Sequence, residues 1–592
     1  MATLKMDTRW SLNDLIPGGE GELESLMTQI EACVQNIESF RPQLTHELTT
    51  GQFQELMQSR EELRQLTSRL GGYAYLLYAE NTQLDASLSL KDRVDQLLTG
   101  VDNRTMFFSL WFKELPDEIA NKFIEQAGDL KYHLESIRRF KPYTLSEAEE
   151  KIINLKDVNG PLALMKLYEI ITNGFIFSLE VEGEIKKLTR DGLVSYYRHA
   201  SPQVRAATYQ ELYRVYGENK AVLAQIYFSL VRDWGSEGID LRGYPSPIAV
   251  RNFANDIPDR VVEALLEACR KNAALFQRYF ILKAKLLGME RFRRYDIYAP
   301  FARSEKKIEY AQAVSLVLEC FKRFSPEIEQ CASRVIERGH LDVEVRPGKR
   351  GGAFSYNVSP AHIPWVMLNY TGQLRDVTTL AHELGHSVHS MLASGHSILT
   401  FRPPLPLAET ASVFAEMLVT DRLLTEESDP AVHCDLLMTI LDDAYATVER
   451  QAFISIFERD AHDMVKRGCT SQDLSVRYMH NLKEQFGEAL ELSDEFAWEW
   501  LTIPHIYTSP FYPYSYSFGQ LLVLALYQQY LVDREAFVPR YIKLLSYGGS
   551  AEPQTILSEA GLDISSTEFW QGGFEVLRSK LDQLEGITGG VE

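Results

Sequence analysis

At 592 residues the chain is far longer than one ordinary hydrophobic core requires, and its 45% hydrophobic and 24% charged residues exclude a disordered or fibrous protein. A formal net charge of −21, with no basic cluster carrying interleaved aromatics, excludes nucleic acid as a partner. Cys33, Cys269, Cys320, Cys331, Cys434 and Cys469 are scattered without CxxC pairs, so they read as free thiols of a reducing compartment rather than a disulfide framework.

Met1 to Trp10 carries no apolar run behind a basic start, hence no secretory signal. Residues 521–526 form the longest purely apolar stretch near the C-terminus, far below the roughly 20 residues of a spanning helix. The expectation is a cytoplasmic protein without a membrane partner. Over residues 23–155, apolar side chains recur at three- and four-residue spacing, as at Leu63, Leu66, Leu70 and Tyr73, which predicts a run of amphipathic helices. Asn159, Gly160 and Pro161 punctuate the chain. Residues 175–181, Gly183 and the segment resuming at Ile185 predict a small hairpin. Helical periodicity returns at Gln203, with Ala206, Tyr209, Leu212 and Tyr213 on one face, and continues to about Arg338. A soft boundary near residue 200 separates an N-terminal helical lobe with the hairpin, 1–200, from a catalytic domain, 201–592.

Gly348, Gly351 and Gly352 then mark a flexible loop, and 365–370 reads as an extended segment after Pro364. Asp376 can cap a following helix over 377–394, which Gly395 can end in the left-handed conformation. Within it stands His382-Glu383-Leu384-Gly385-His386, the HExxH pattern. Two imidazoles four residues apart lie one turn apart on one helix face and can share a Zn2+ ion. Glu383 is rotated about 100° from His382, where it can reach a water at the metal without being a ligand. Val377, Leu380, Ala381, Leu384, Val388 and Met391 share the opposite side, so one face anchors to a core while the other can line a cleft.

A catalytic zinc needs three protein ligands and one open position. The residue ten places after His382 is Leu392, not histidine, which excludes the metzincin pattern. After Pro403, Pro404 and Pro406, helix resumes from Leu407 with Glu409 in its first turn, making Glu409 the third-ligand candidate. Glu416, seven residues on, shares that face and could ligate instead or hydrogen-bond a ligand histidine; the second role is favoured. His389 shares the ligand face and reads as outer wall.

The segment Thr379-Leu380-Ala381-His382-Glu383-Leu384-Gly385-His386-Ser387-Val388-His389, with Ala408-Glu409-Thr410-Ala411-Ser412-Val413-Phe414-Ala415-Glu416, resembles the oligoendopeptidase F family, relatives of thimet oligopeptidase. Trp10-Ser11-Leu12-Asn13-Asp14-Leu15, Tyr295-Asp296-Ile297-Tyr298-Ala299-Pro300, Gly348-Lys349-Arg350-Gly351-Gly352-Ala353 and the tyrosines near residue 510 extend the resemblance over nearly the whole chain. It implies a mainly α fold, a two-lobed helical body enclosing a deep channel, with a thermolysin-like HExxH zinc core and a small β-sheet. By resemblance, one Zn2+ per chain is held by His382, His386 and Glu409, Glu383 is catalytic base and then acid, and His505 with tyrosines of its segment stabilises the transition state. Among these His505 ranks first and Tyr514 second, with Tyr507, Tyr512 and Tyr516 behind, because phenol O–H and imidazole N–H groups can donate to a developing oxyanion.

In thermolysin-like sites an edge strand before the HExxH helix pairs with the substrate backbone, which assigns Trp365, Val366 and Met367, with Gly351 and Gly352 of the loop, to substrate binding. The implied activity is hydrolysis of internal bonds in short unstructured oligopeptides. A zinc carboxypeptidase or dipeptidase on a similar scaffold and a non-catalytic peptide-binding protein with structural zinc are the alternatives. Mn2+ or Co2+ could also occupy the ligands, and the oligomeric state is not encoded in any feature read above.

Overall fold

The computed structural model describes residues 8–301 and 307–588; residues 1–7, part of the stretch read as lacking a secretory signal, lie outside the described residues. Helices dominate, as expected, and the strands form one two-stranded and one three-stranded sheet. Among the described residues no helix is long and apolar enough to cross a membrane.

The chain forms two compact units, each assembled from three separate stretches: 1–142, 306–425 and 529–562 in the first, and 143–305, 426–528 and 563–592 in the second. The expected boundary near residue 200 falls inside the second unit. Periodicity reports which face of a helix is apolar, whereas unit membership depends on which distant helices cover that face.

In the first unit, Thr49 and Gln52 form a reciprocal capping box that starts the helix Thr50–Glu80. Its buried Phe53, Leu56, Leu63 and Leu70 join a core with Phe108, Phe112 and Phe123, and Leu66 and Tyr73 pack at the edge of that core. The Phe53 and Phe123 rings stack at 4.3 Å. The same core reaches Trp365 and Met367, so the N-terminal helices back the strand that precedes the HExxH helix.

In the second unit the hairpin forms as expected: β1 (Phe177–Val181) pairs antiparallel with β2 (Glu184–Leu188). Glu182 and Gly183 turn it with φ of 56° and 82°, both left-handed, as a two-residue hairpin turn requires. The helix Pro202–Glu218 starts at a Ser201 cap and buries Ala206, Tyr209, Leu212 and Tyr213, the face read from the sequence. None of the six cysteines is in a disulfide, and Cys33, Cys269, Cys320 and Cys434 are buried.

The three-stranded sheet, in the first unit, comprises β3 (Leu341–Asp342), β4 (Phe354–Tyr356) and β5 (Trp365–Met367) in the order β3-β5-β4. β5 is parallel to β3 and antiparallel to β4. The expectation that Trp365, Val366 and Met367 form an edge strand is therefore corrected: both sides of β5 are paired and its three side chains are fully buried. The outer positions belong to β3 and β4, and β4 follows closely on Gly351 and Gly352. A continuous apolar run marks a buried central strand as well as it marks an edge, which is why sequence pattern misplaced it.

Candidate active site

The HExxH helix spans Leu374–Leu392, three residues earlier at its start than expected. Gln373 is its N-cap, and Asp376 occupies the third helical position, where its Oδ2 accepts from the backbone N–H of Gln373 at 3.1 Å and of Thr371 at 2.7 Å. Asp376 thus completes the capping box from inside the helix. The helix closes at Ala393, with φ of −84°, and Gly395 is not left-handed. Val377, Leu380, Ala381, Leu384 and Val388 are buried as a core-facing stripe, while His382 and His386 remain about a quarter exposed, at 24% and 25%.

Glu409 stands between two helices, Leu405–Ala408 and Thr410–Glu426, rather than in the first turn of one. Pro404 and Pro406 start the first of these, and Glu409 is its C-cap, with φ of −85°. Its Oε2 lies 3.4 Å from His382 Nε2 and 3.5 Å from His386 Nε2. Ser412 Oγ donates to the same Oε2 at 2.7 Å and holds that rotamer. The two rings stand edge to face, 4.8 Å apart.

The spacings suit a metal ion. Ligand atoms about 2.0–2.1 Å from a tetrahedral ion lie roughly 3.4 Å from one another. Both imidazoles have their other nitrogen engaged, the arrangement that aims Nε2 at a metal. His382 Nδ1–H donates to Glu416, and the His386 ring donates to the backbone carbonyl of Ala408. Burial works to lower His382, but the hydrogen bond and charge of Glu416 outweigh it and raise the group to about 9. His386 is pushed down to about 4 by burial, against the opposing charge of Glu409, and is a neutral imidazole at physiological pH.

Glu383, between the two histidines in sequence, is buried and only 5% exposed. Burial is the main cause that pushes its carboxyl up to about 7, with His382 acting against and Glu409 and Glu416 acting with it. A carboxyl in that range can both take and give a proton near neutrality. It also accepts a hydrogen bond from the backbone of Ser355, so the central residue of β4 directs its outward amide to Glu383. Sequence reasoning missed Ser355, Ser412 and the Ala408 carbonyl; Ser412, three residues after Glu409 on a helical run, was the one with a local signal.

His505 and the tyrosines belong to the second unit. The short helix Pro504–Thr508 carries His505, half-buried, and Tyr507, fully buried. Tyr507 stacks on Tyr168 at 3.9 Å and its hydroxyl has no hydrogen-bond partner, so this side chain is core. Tyr514 is 1% exposed, and Asn255 Nδ2 donates to its hydroxyl at 2.9 Å. In contrast, Tyr512 is partly exposed and Tyr516 is 38% exposed. Tyr516 Oη lies 3.4 Å from His505 Nε2, and Tyr512 packs edge-on to Tyr516 at 5.3 Å. The structure thus groups His505, Tyr512 and Tyr516 at the surface of this segment and places Tyr507 and Tyr514 beneath it.

Residues 195–576 match peptidase family M3, and residues 111–177 match oligopeptidase F. The chain is 25% identical to the oligopeptidase PepF of Bacillus subtilis over 99% of its own length and 88% of that protein. It is 27% identical to an oligoendopeptidase F homolog of Lactococcus lactis, over 89% and 88% of the two chains. Among solved structures, a Chlamydophila abortus protein described as a peptidase superposes with a TM-score of 0.89 at 24% identity, covering 98% of both chains. The oligoendopeptidase-F of Enterococcus faecium superposes at 0.72 and 23% identity, over 96% of this chain and 99% of that one. With its HExxH histidines and Glu409 gathered as a triad that could hold a metal ion and the M3 match spanning most of its length, the chain belongs to peptidase family M3 and is a metallopeptidase.

Proposed function

We propose that the chain is a zinc endopeptidase that hydrolyses internal bonds of short, unstructured peptides, with Glu383 as general base and then acid. The observation that carries this reading is the placement of the buried Glu383 carboxyl on the same helix as two of three metal-ligand candidates, hydrogen-bonded to the backbone of β4. His382, His386 and Glu409 would hold one ion, and their two nitrogens and one oxygen are the donor set zinc favours in hydrolytic sites. A zinc ion bound there supplies Lewis acidity towards the scissile carbonyl and the attacking water.

The remaining chemistry falls to the chain. Glu383 accepts the proton of the attacking water and delivers it to the leaving amine, so no covalent acyl-enzyme is required. β4 has one neighbour, β5, among the described residues, and the backbone groups of its other side, apart from the Ser355 N–H that Glu383 accepts, can pair with an extended peptide. Pairing through the backbone binds peptides with little regard to side chains and needs an unfolded substrate. Gly351 and Gly352, at whose positions a β-carbon would meet open space, lead into that strand and leave room beside it. His505 and tyrosines of its segment are the donors to the oxyanion in this reading, and exposure favours His505, Tyr512 and Tyr516 over the buried Tyr507 and Tyr514. The names of the relatives, oligopeptidase and oligoendopeptidase F, support both the substrate class and internal cleavage. Cysteines held in no disulfide support a cytoplasmic location.

The test is digestion of a random peptide pool blocked at both termini by zinc-loaded protein, with the fragments sequenced. Internal cuts that disappear on chelation support the reading. Release of terminal residues from unblocked peptides alone would establish an exopeptidase, and no cleavage at all a binding protein.

A further inference from the structure

The segment that carries His505 and the accessible tyrosines contains an unusual joint. Phe511 is one of three described non-glycine residues with positive φ, at 58°, and its side chain is fully buried. A bulky aromatic in that conformation is strained and persists only where its surroundings impose it.

The surroundings here are two side chains acting on one peptide bond. Arg251 Nε donates to the carbonyl of Pro510 at 3.0 Å. The N–H of Phe511, on the other end of the same peptide plane, donates to Glu458 Oε1 at 2.9 Å. Arg251 lies on the helix Pro247–Ala254 and Glu458 on the helix Arg450–Lys466, so the plane is gripped from two separate helices. Glu458 is fully buried, and its Oε2 has no hydrogen-bond partner. The His462 ring, one turn along the same helix, packs against Phe511 at 4.7 Å. Immediately downstream, Asn255 holds Tyr514 at 2.9 Å and Ser515 Oγ at 3.3 Å, and the Ser515 and Tyr516 amides bond back to the carbonyls of Tyr512 and Pro513.

We infer that Glu458 and Arg251 are positioning residues for peptide hydrolysis, locking the Pro510–Phe511 peptide plane so that Tyr512 and Tyr516 are held beside His505. A rotation of that plane would relieve the positive φ of Phe511 and redirect the chain from Tyr512 onward. With both the oxygen and the N–H of the peptide occupied, the rotation costs two hydrogen bonds, one of them buried. This inference rests on the assignment of His505, Tyr512 and Tyr516 as oxyanion donors. What the lock requires of Glu458 is an acceptor oxygen in a fixed place rather than a charge; burial pushes its carboxyl up to about 8, although the Phe511 amide acts against this, so the neutral acid prevails at neutral pH.

The distinguishing experiment compares Glu458→Gln and Glu458→Met in the full chain loaded with zinc. Glutamine keeps a carbonyl acceptor, whereas methionine keeps the volume and leaves the Phe511 N–H unpaired. The expected result is a kcat roughly 10- to 100-fold lower for Glu458→Met, with KM and zinc content unchanged and faster amide exchange over residues 509–516. Glu458→Gln should restore kcat to within about twofold of the parent protein. A Glu458→Met variant with parental kcat, or a glutamine variant as slow as the methionine one, overturns the lock. Should Glu458→Met not fold, Arg251→Met reads the other end of the same peptide: a fall in kcat at constant KM supports the lock and an unchanged kcat overturns it. Glu383→Gln is assayed alongside. If it is inactive while both lock variants turn over normally, only the lock is lost; if it is active, the hydrolytic reading and the lock fall together.

Discussion

The α-carbon of Gly385 faces the backbone of Ala411 so closely that a β-carbon at Gly385 would stand 2.6 Å from the Ala411 carbonyl oxygen and 2.7 Å from Cα of Ser412. The contact joins the middle of the HExxH motif to the helix that follows Glu409, and it is backbone against backbone, so no side chain can swing aside. Gly385→Ala should therefore push the two helices apart and displace Glu409 from the histidines. The expected cost is about 1–3 kcal/mol of stability, together with weaker metal binding, read as a lower Tm and a lower zinc content after dialysis. An alanine variant with parental zinc affinity would show that the Glu409 position does not depend on this contact.

Glu416 hydrogen-bonds the site through His382, whose Nδ1–H it accepts. Replacing it by alanine removes the partner that orients the ring, and metal affinity should fall roughly 10- to 100-fold without abolishing binding. Glu409→Ala should instead leave two histidines and no stable site. Competition with a chromogenic chelator separates the two outcomes; equal losses would mean that the roles of the two acids are interchanged.

Glu383→Gln keeps the shape of the side chain but cannot accept the proton. Zinc content should be unchanged and kcat on a quenched-fluorescence peptide should fall by roughly 10²- to 10⁴-fold. Turnover near the parental value would remove Glu383 from the proton transfer.

The tyrosines should divide by burial. Tyr516→Phe is expected to lower kcat by roughly 10- to 100-fold at constant zinc content, as loss of one donor to an oxyanion does. Tyr507→Phe removes a buried hydroxyl that has no partner and should leave kcat alone while holding or slightly raising Tm. The reverse pattern in the two variants would place the catalytic donor on Tyr507.

His462 supplies a pH signature remote from the metal ligands. Burial pushes its ring down to about 3, and neither ring nitrogen has a hydrogen-bond partner. Between that value and the ordinary value near 6.5, the unfolded chain binds a proton that the folded chain does not. The contribution of His462 to stability is thus full above pH 6.5 or so and declines as pH falls through the window towards about 3. His462→Leu should flatten the dependence of Tm on pH between about 4 and 6; an unchanged slope would show that other groups set it.

The amphipathic faces at Leu63–Leu70 and Ala206–Tyr213, the Gly183 hairpin and the HExxH spacing were all legible in the sequence, because each is a relation between residues a few positions apart. A helix with 3.6 residues per turn dictates that His382 and His386 share a face and that Glu383 does not. Chain-local chemistry also places Asp376 at the helix start, although whether it caps from outside or from the third helical position turned on where the first turn closed.

Contacts between distant segments were decided only by the tertiary structure. That Glu409 meets the ring nitrogens while Glu416 orients one ring depended on the break at Glu409 between two helices, since both acids lie on one stripe of an ideal helix. Short extended segments look alike in sequence, and only the pairing on both sides of β5 showed that it is central and that β3 and β4 lie outside it. Five aromatic and imidazole candidates between His505 and Tyr516 are chemically equivalent on paper. Packing of Tyr168 and Asn255 against two of them, from more than 250 residues away in the chain, decides which are buried, because burial is a property of the assembled fold and not of any window of sequence.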